Sequence, residues 1–334
     1  MPRPNPHKPF TPRAEQIALQ PRVSGNAING LGETEHRPAR IVYWALDPDT
    51  IAHGHMQRWF YQADPDNAHV NAARAERARL LEEEIGPLVG EPVQRSPSEW
   101  LEALRRHAGE HIPCERIGAT ALDPDWLYEG EARSFANVIV IAVQHDPDEI
   151  AQAPQGRAGA EVVRQYGRAA LSARRVATWL RAQGWEAEAV TGPMTGPLLL
   201  IPPAVACGFG ELGKHGSLID PEFGSSFRLS AVMTDAPVEH THKREYGIDA
   251  FCASCRVCEE ACPPEAISPQ KQTVRGETKW YVDFDKCLPF FNQHHGCAIC
   301  VAVCPWSLPG VGFKLAGKLA RRRERRTNAI DDHV

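Results

Sequence analysis

Eight cysteines between residues 252 and 304 constrain this chain more than anything else in it. The first four, Cys252, Cys255, Cys258 and Cys262, follow C-x2-C-x2-C-x3-C with Pro263 behind them. The second four are Cys287, Cys297, Cys300 and Cys304, the last followed by Pro305. Three thiolates spaced by two residues face one cluster, and a fourth followed by proline is carried to the neighbouring cluster. The spacing therefore predicts two [4Fe–4S] clusters with crossed ligands. One set is Cys252, Cys255, Cys258 and Cys304; the other is Cys262, Cys287, Cys297 and Cys300. Zinc also accepts all-thiolate ligation, but its sites are usually built from separate C-x2-4-C pairs. Only Cys114 and Cys207 lie elsewhere, too few for a disulfide scaffold and in keeping with a reducing compartment. Electron transfer is the expectation, with the use of the electrons left open.

Length and charge narrow the setting. A chain of 334 residues buries a large core and commonly divides in two. Its net charge of −5 and pI near 6.3 argue against nucleic acid as a partner of the whole chain. The longest uncharged run, Ala189 to Gly210, is broken by Pro193, Pro197, Pro202 and Pro203, so no spanning helix is expected. Met1 to Gln20 has neither an apolar h-region nor a twin arginine and does not read as a signal peptide. The expectation is a cytoplasmic protein with no membrane partner.

Along the chain, residues 1–40 read as an arm that wraps or stays loose, and Ile41 to Leu46 as a first strand. Asn71 to Ile85 reads as a helix. Ser96-Pro97-Ser98-Glu99 has the serine cap, early proline and third-position glutamate of a helix start. Asn137 to Val143 is the continuous apolar run of a strand buried on both faces. Ala160 to Gln183 reads as a long helix closed by Gly184; Leu198 to Ile201 and Arg228 to Thr234 read as further strands. Strands alternating with helices imply a layered α/β or α+β domain over 41–244. An iron–sulfur module at 245–310 follows, its two cysteine runs forming the pseudo-symmetric halves of a bacterial ferredoxin. A basic tail at 311–334 ends the chain, with Lys314, Lys318, Arg321, Arg322, Arg323, Arg325 and Arg326. Such a run is either a solvated helix end or a docking surface for an acidic electron donor.

Between strand and cysteines, Glu211-Leu212-Gly213-Lys214-His215-Gly216-Ser217-Leu218-Ile219-Asp220-Pro221-Glu222-Phe223-Gly224, then Phe227-Arg228-Leu229, resembles the corrinoid-binding loop of reductive dehalogenases. Val143 to Pro154 and the Cys287-Leu288-Pro289-Phe290-Phe291-Asn292 and Cys304-Pro305-Trp306 segments resemble other parts of that family. The likeness runs from about 130 to 326 and is poor over the first 120 residues. Epoxyqueuosine reductases share the architecture, but place an aspartate before a Tyr-His pair where this chain reads Arg164-Gln165-Tyr166-Gly167-Arg168.

The resemblance implies a nitroreductase-like domain holding a base-off cobalamin, with no histidine beneath the cobalt, followed by the two-cluster module. It implies corrinoid contacts from Gly213, Lys214, His215, Gly216, Ser217, Leu218, Phe223, Gly224 and Arg228, the glycines admitting a planar ligand. Tyr166 takes the place of the family's proton donor and Lys214 that of the basic residue beside it. The implied reaction is reductive dehalogenation of an organohalide. The export signal of the respiratory members and the fused reductase of some soluble ones are not found in the sequence. The implied electron donor is therefore a separate reductase, ferredoxin or flavodoxin. Epoxyqueuosine reduction and a non-enzymatic, ferredoxin-like electron carrier are the alternatives.

Overall fold

A computed structural model describes residues 5–192 and 196–331. The first four residues, the last three, and the side chains of 326–331, including Arg326 of the basic tail, lie outside what is described. The central sheet has four antiparallel strands in the order β1-β2-β6-β3. They are β1 (Arg116–Ala121), β2 (Asn137–Gln144), β3 (Ala187–Val190) and β6 (Phe227–Thr234). Two short hairpins complete the strands: β4 (Glu211–Leu212) with β5 (Leu218–Ile219), and β7 (Gln272–Val274) with β8 (Glu277–Lys279).

The apolar run of β2 is explained by its place in the middle of the sheet. Its side chains alternate between faces, and both faces are covered. Ile139 and Ile141 pack under Trp100 and Leu104 of the helix Pro97–His111 and under Val176 and Leu180 of the long helix Gly156–Ala182. Val138, Val140 and Ala142 turn the other way, onto Leu198, Ala204, Phe209, Phe223 and Phe227. The helix start at Ser96 forms a full capping box with Glu99. The other long helix of the first third runs Ala68–Leu80, capped by Asn67, whose side-chain Oδ1 accepts the Val70 N–H at 3.1 Å. It begins and ends earlier than 71–85.

Two expected strands are absent. Residues 41–46 are irregular, and Ile201 opens the helix Ile201–Ala206, with prolines at its first positions. The latter follows from the proline's fixed φ, which suits a first helical turn and not a strand interior.

Residues 5–33 are tied to the cysteine module. Asn5 donates to the Ala261 carbonyl (2.9 Å), Gln16 to the Pro289 carbonyl (3.0 Å) and the Gly25 N–H to Asp285 (2.8 Å). Asn26 and Asn29 bond Asp283 and Tyr281, and Leu31 bridges Val274. Phe10 packs edge-on against Phe290. Residues 5–33 thus form a strap across the segment 261–294 that carries Cys262 and Cys287.

Candidate redox site and its proton-donor pair

The cysteines fall into two groups. Cys252, Cys255, Cys258 and Cys304 line one cavity together with Lys214, His215, Ile219, Phe251, Pro305 and Trp306. Among the described residues no three His, Cys, Asp or Glu side chains converge on a single-ion position. The four thiols surround a space instead, a donor set that fits a multi-iron cluster and not one tetrahedral zinc with sulfurs at about 2.3 Å. Burial, and then the neighbouring thiols, push Cys252 up to about 11 and Cys258 up to about 12.

Cys262, Cys287, Cys297 and Cys300 form the second group. Burial and then Cys297 and Cys262 push Cys287 up to about 12; burial and then Cys300 and Cys262 do the same for Cys297. Cys300 is raised by burial and then chiefly by Cys287 and Cys262. Binding iron must displace those protons. The chain returns sharply here, with His295, Gly296, Cys297 and Ala298 all at positive φ and the Gly296 N–H bonded to the Phe291 carbonyl at 2.9 Å. Left-handed backbone at non-glycine residues costs roughly 1–2 kcal/mol each. Such strain persists where surrounding structure fixes it, commonly at functional sites.

The loop 213–224 is built into protein on both sides. Lys214 is 2% exposed; its ammonium pairs with the Glu259 carboxylate, donates to the Cys255 carbonyl at 2.9 Å and lies 5.1 Å from the Trp280 ring centre. His215 is buried, and burial lowers its pKa to about 4. Its Nδ1 accepts the Ser217 N–H at 3.3 Å, and its Nε2 has no partner. A methyl on Gly213 would meet Ile219, one on Gly216 would meet Val282, and one on Gly224 would meet the backbone of Trp306 and Ser307. Leu218 and Phe223 belong to the core beneath the sheet. The glycines of this loop therefore admit close protein neighbours, and the loop seats the cysteine module on the sheet.

Sequence reasoning missed the role of Glu211, which caps a helix that begins 37 positions later, at Ile248. Its carboxylate takes the N–H groups of Tyr246 (2.5 Å), Gly247 (2.9 Å) and Asp249 (3.0 Å). This ties β4 to the start of the helix Ile248–Ser254 that carries Cys252.

The basic residue over Tyr166 is Arg228, correcting the expectation of Lys214. The Arg228 guanidinium lies 4.9 Å from the Tyr166 ring centre. Tyr166 is half-buried on the long helix and Arg228 half-buried at the start of β6. Lys214 is committed to Glu259, whereas Arg228 keeps a buried Nε without a partner. His145, at the end of β2, is 2% exposed and also keeps an unpartnered Nε2. Burial, then Arg228 and Arg168, hold it neutral well below the usual histidine range. The unpartnered Arg228 Nε beside Tyr166 fits a ligand that brings its own acceptor. Ser225, three residues before Arg228, donates its N–H to the Ser307 hydroxyl at 3.0 Å and reaches the Cys304 thiol. The tyrosine pair and the first thiol group are thus joined through one short segment.

Residues 251–308 match the model of the 4Fe-4S dicluster domain. The tetrachloroethene reductive dehalogenase of Dehalobacter restrictus is 34% identical over 207 residues, 58% of this chain and 37% of that protein. The epoxyqueuosine reductase of Leadbetterella byssophila is 29% identical over 121 residues, 31% of this chain and 35% of that protein. Among solved structures, the N-terminally tagged catabolic reductive dehalogenase NpRdhA superposes with a TM-score of 0.70 at 19% identity. The match covers 96% of this chain and 50% of that one. The chain thus spans little more than a third of the length of the curated dehalogenase it matches. The chain is similar in sequence to a reductive dehalogenase over 207 residues, and over nearly its whole length it shares the fold of one.

Proposed function

We propose that this chain is a cobalamin-dependent reductive dehalogenase of the cytoplasm, drawing electrons from a separate donor protein by way of its [4Fe–4S] clusters. The observation that carries the reading is Arg228 over Tyr166, one short segment away from the thiol group that Ser225 touches. A redox centre and a proton donor with its own cation are what reductive cleavage of a carbon–halogen bond requires: R–X + 2e⁻ + H⁺ → R–H + X⁻. When bound, the corrinoid supplies the two-electron chemistry at the carbon–halogen bond.

The chain's own residues do the rest. The two cysteine sets hold the clusters. Tyr166 delivers the proton from its hydroxyl, and the Arg228 cation stabilises the phenolate that remains. The polar atoms of His145 and Arg228 orient the ligands beside it. His215 lines the cavity of the first thiol set and would serve the cluster side of the site. The covered faces of the sheet exclude water.

The experiment is anoxic purification with cobalamin supplied, then turnover of a haloaromatic panel and of an epoxide nucleoside. Halide release in step with two electrons per molecule is expected. Tyr166→Phe should keep the clusters and lose turnover by about 10²–10⁴-fold. Epoxide reduction without halide release makes the chain an epoxyqueuosine reductase; bound clusters with neither activity make it an electron carrier.

A further inference from the structure

We infer that the outward face of the C-terminal helix Gly312–Asp331 docks a small acidic one-electron carrier protein. Electrons then enter through the Cys252, Cys255, Cys258 and Cys304 set. The inference rests on the oxidoreductase reading above and adds the point of entry and the chemistry of the partner.

Charge comes first. Between Gly312 and Arg325 the helix has six lysines and arginines against the single acid Glu324, in a chain whose net charge is −5. Lys314, Lys318, Arg321, Arg322 and Arg325 are exposed. Arg323 is tied back to the body by Glu245, 3.5 Å away. A concentrated positive face on an acidic protein selects an acidic partner and speeds its encounter.

Position comes second. The inward face of the same helix, Leu315, Ala316 and Leu319, packs into the cluster of buried residues that contains Cys252, Cys304 and Trp306. One helix diameter, about 10 Å, separates a partner seated outside from the first thiol set. Phe313 (59% exposed) and Leu308 (51% exposed) lie at the start of the helix. They offer an apolar centre within a charged rim, the usual build of a protein interface. The second thiol set is closed off by the N-terminal strap, through Asn5 on Ala261 and Gln16 on Pro289. A membrane is a poorer fit, because an interfacial helix must offer its apolar face to lipid and this one has spent that face on the protein core.

At each docking one electron leaves the carrier, which is oxidised, and one cluster goes from the 2+ to the 1+ state. Two dockings supply the two electrons of one carbon–halogen cleavage.

The test mixes cluster-loaded protein anaerobically with a reduced acidic flavodoxin and follows cluster bleaching. Carbodiimide crosslinking of the unaltered protein to flavodoxin runs in parallel. A Lys314→Glu/Lys318→Glu/Arg321→Glu chain should be reduced at least about tenfold more slowly at low salt, while reduction by photogenerated deazaflavin radical keeps its rate. Crosslinks should map to Lys314 and Lys318. Unchanged flavodoxin kinetics, or crosslinks confined to lysines off this helix, overturn the proposal. So does binding of the helix to anionic vesicles or oligonucleotides with flavodoxin reduction unaffected. The crosslink map decides the matter even where the triple variant fails to hold its clusters. Because reduction is read without substrate, absence of dehalogenation leaves this result intact.

Discussion

Gly224 lies so close to Ser307 that a methyl group added to it would sit 2.3 Å from the serine Cα. Its φ is +61°, and its N–H and carbonyl both bond Asp220, at 2.9 and 2.8 Å. This is where the sheet's loop meets the end of the second cysteine run. Gly224→Ala is expected to cost roughly 2–4 kcal/mol, from overpacking and left-handed backbone together. Gly130 also has a positive φ but nothing within 4 Å, so Gly130→Ala should cost only about 1 kcal/mol. Urea midpoints of the two variants compare them directly; equal losses would mean that the contact with Ser307 contributes nothing.

Cys262 follows Cys258 closely in sequence but groups with Cys287, Cys297 and Cys300. Reconstituted protein should hold about eight irons per chain, and Cys262→Ser should lose or alter only the second cluster. Iron analysis with electron paramagnetic resonance of the reduced protein reads this. Loss of the Cys252–Cys255–Cys258 cluster alone would show the pairing to be uncrossed.

Arg228 and Lys214 should separate when each is removed. Arg228→Ala is expected to lower dehalogenation by at least about tenfold while stability changes little, since it removes the cation beside Tyr166, the proposed proton donor. Lys214→Ala leaves Glu259, whose side chain is 10% exposed, without its ammonium. Breaking a buried pair in this way costs about 3–5 kcal/mol. Its main effect should be on thermal stability and retention of the first cluster. Turnover that follows Lys214 and ignores Arg228, in chains of equal cluster content, would reverse the assignment.

His145 sets a pH dependence. Burial and then Arg228 and Arg168 keep it neutral in the folded chain well below the usual range, whereas the unfolded chain protonates it near pH 6.5. Below that pH the unfolded state binds the extra proton, so stability falls as pH falls, by at most about 1.4 kcal/mol per unit from this group. Stability is full above about pH 6.5. Denaturant titrations at pH 7.5, 6.5 and 5.5 (roughly bracketing that value) should show a shallower decline for His145→Gln than for the unaltered chain. Parallel declines would remove His145 from the account.

What the sequence made legible is what is local or periodic. The crossed cysteine grouping follows from spacing, the Ser96 capping box from four adjacent residues, and β2 from an uninterrupted apolar run. The long helix was read within a few residues because Gly184, at φ +82°, closes it. Contacts between distant segments carried no such pattern. Nothing around Tyr166 marks Arg228, 62 positions later, as its partner. Lys214 is the basic residue that the resemblance implies, but its ammonium pairs with Glu259. β1 and β3 are short and hold one large apolar residue each, Ile117 and Val190, so their neighbours in the sheet supply most of the driving force. An arm that wraps is one of the two readings of residues 1–40; where it lands is not legible, because the side chains that hold it are mostly asparagine, serine and glutamine with no hydrophobic period.

That strap also fixes an order of events in the making of the protein. Asn5 and Ala261 are 256 positions apart, Ser24 and Asp285 are 261 apart, and Gln16 and Pro289 are 273 apart. The ribosome, adding about 5–20 residues per second, releases the first of each pair on the order of ten to fifty seconds before the second. Polar side chains tolerate that wait in water better than an unpaired apolar strand would. Closing a loop of this length costs about 5 kcal/mol of chain entropy, which the strap recovers only from a finished thiol module. Limited proteolysis of iron-free and iron-loaded protein should therefore cut residues 5–33 freely in the first and sparingly in the second. Residues 5–33 are expected to close over Cys262 and Cys287 only after iron has reached them.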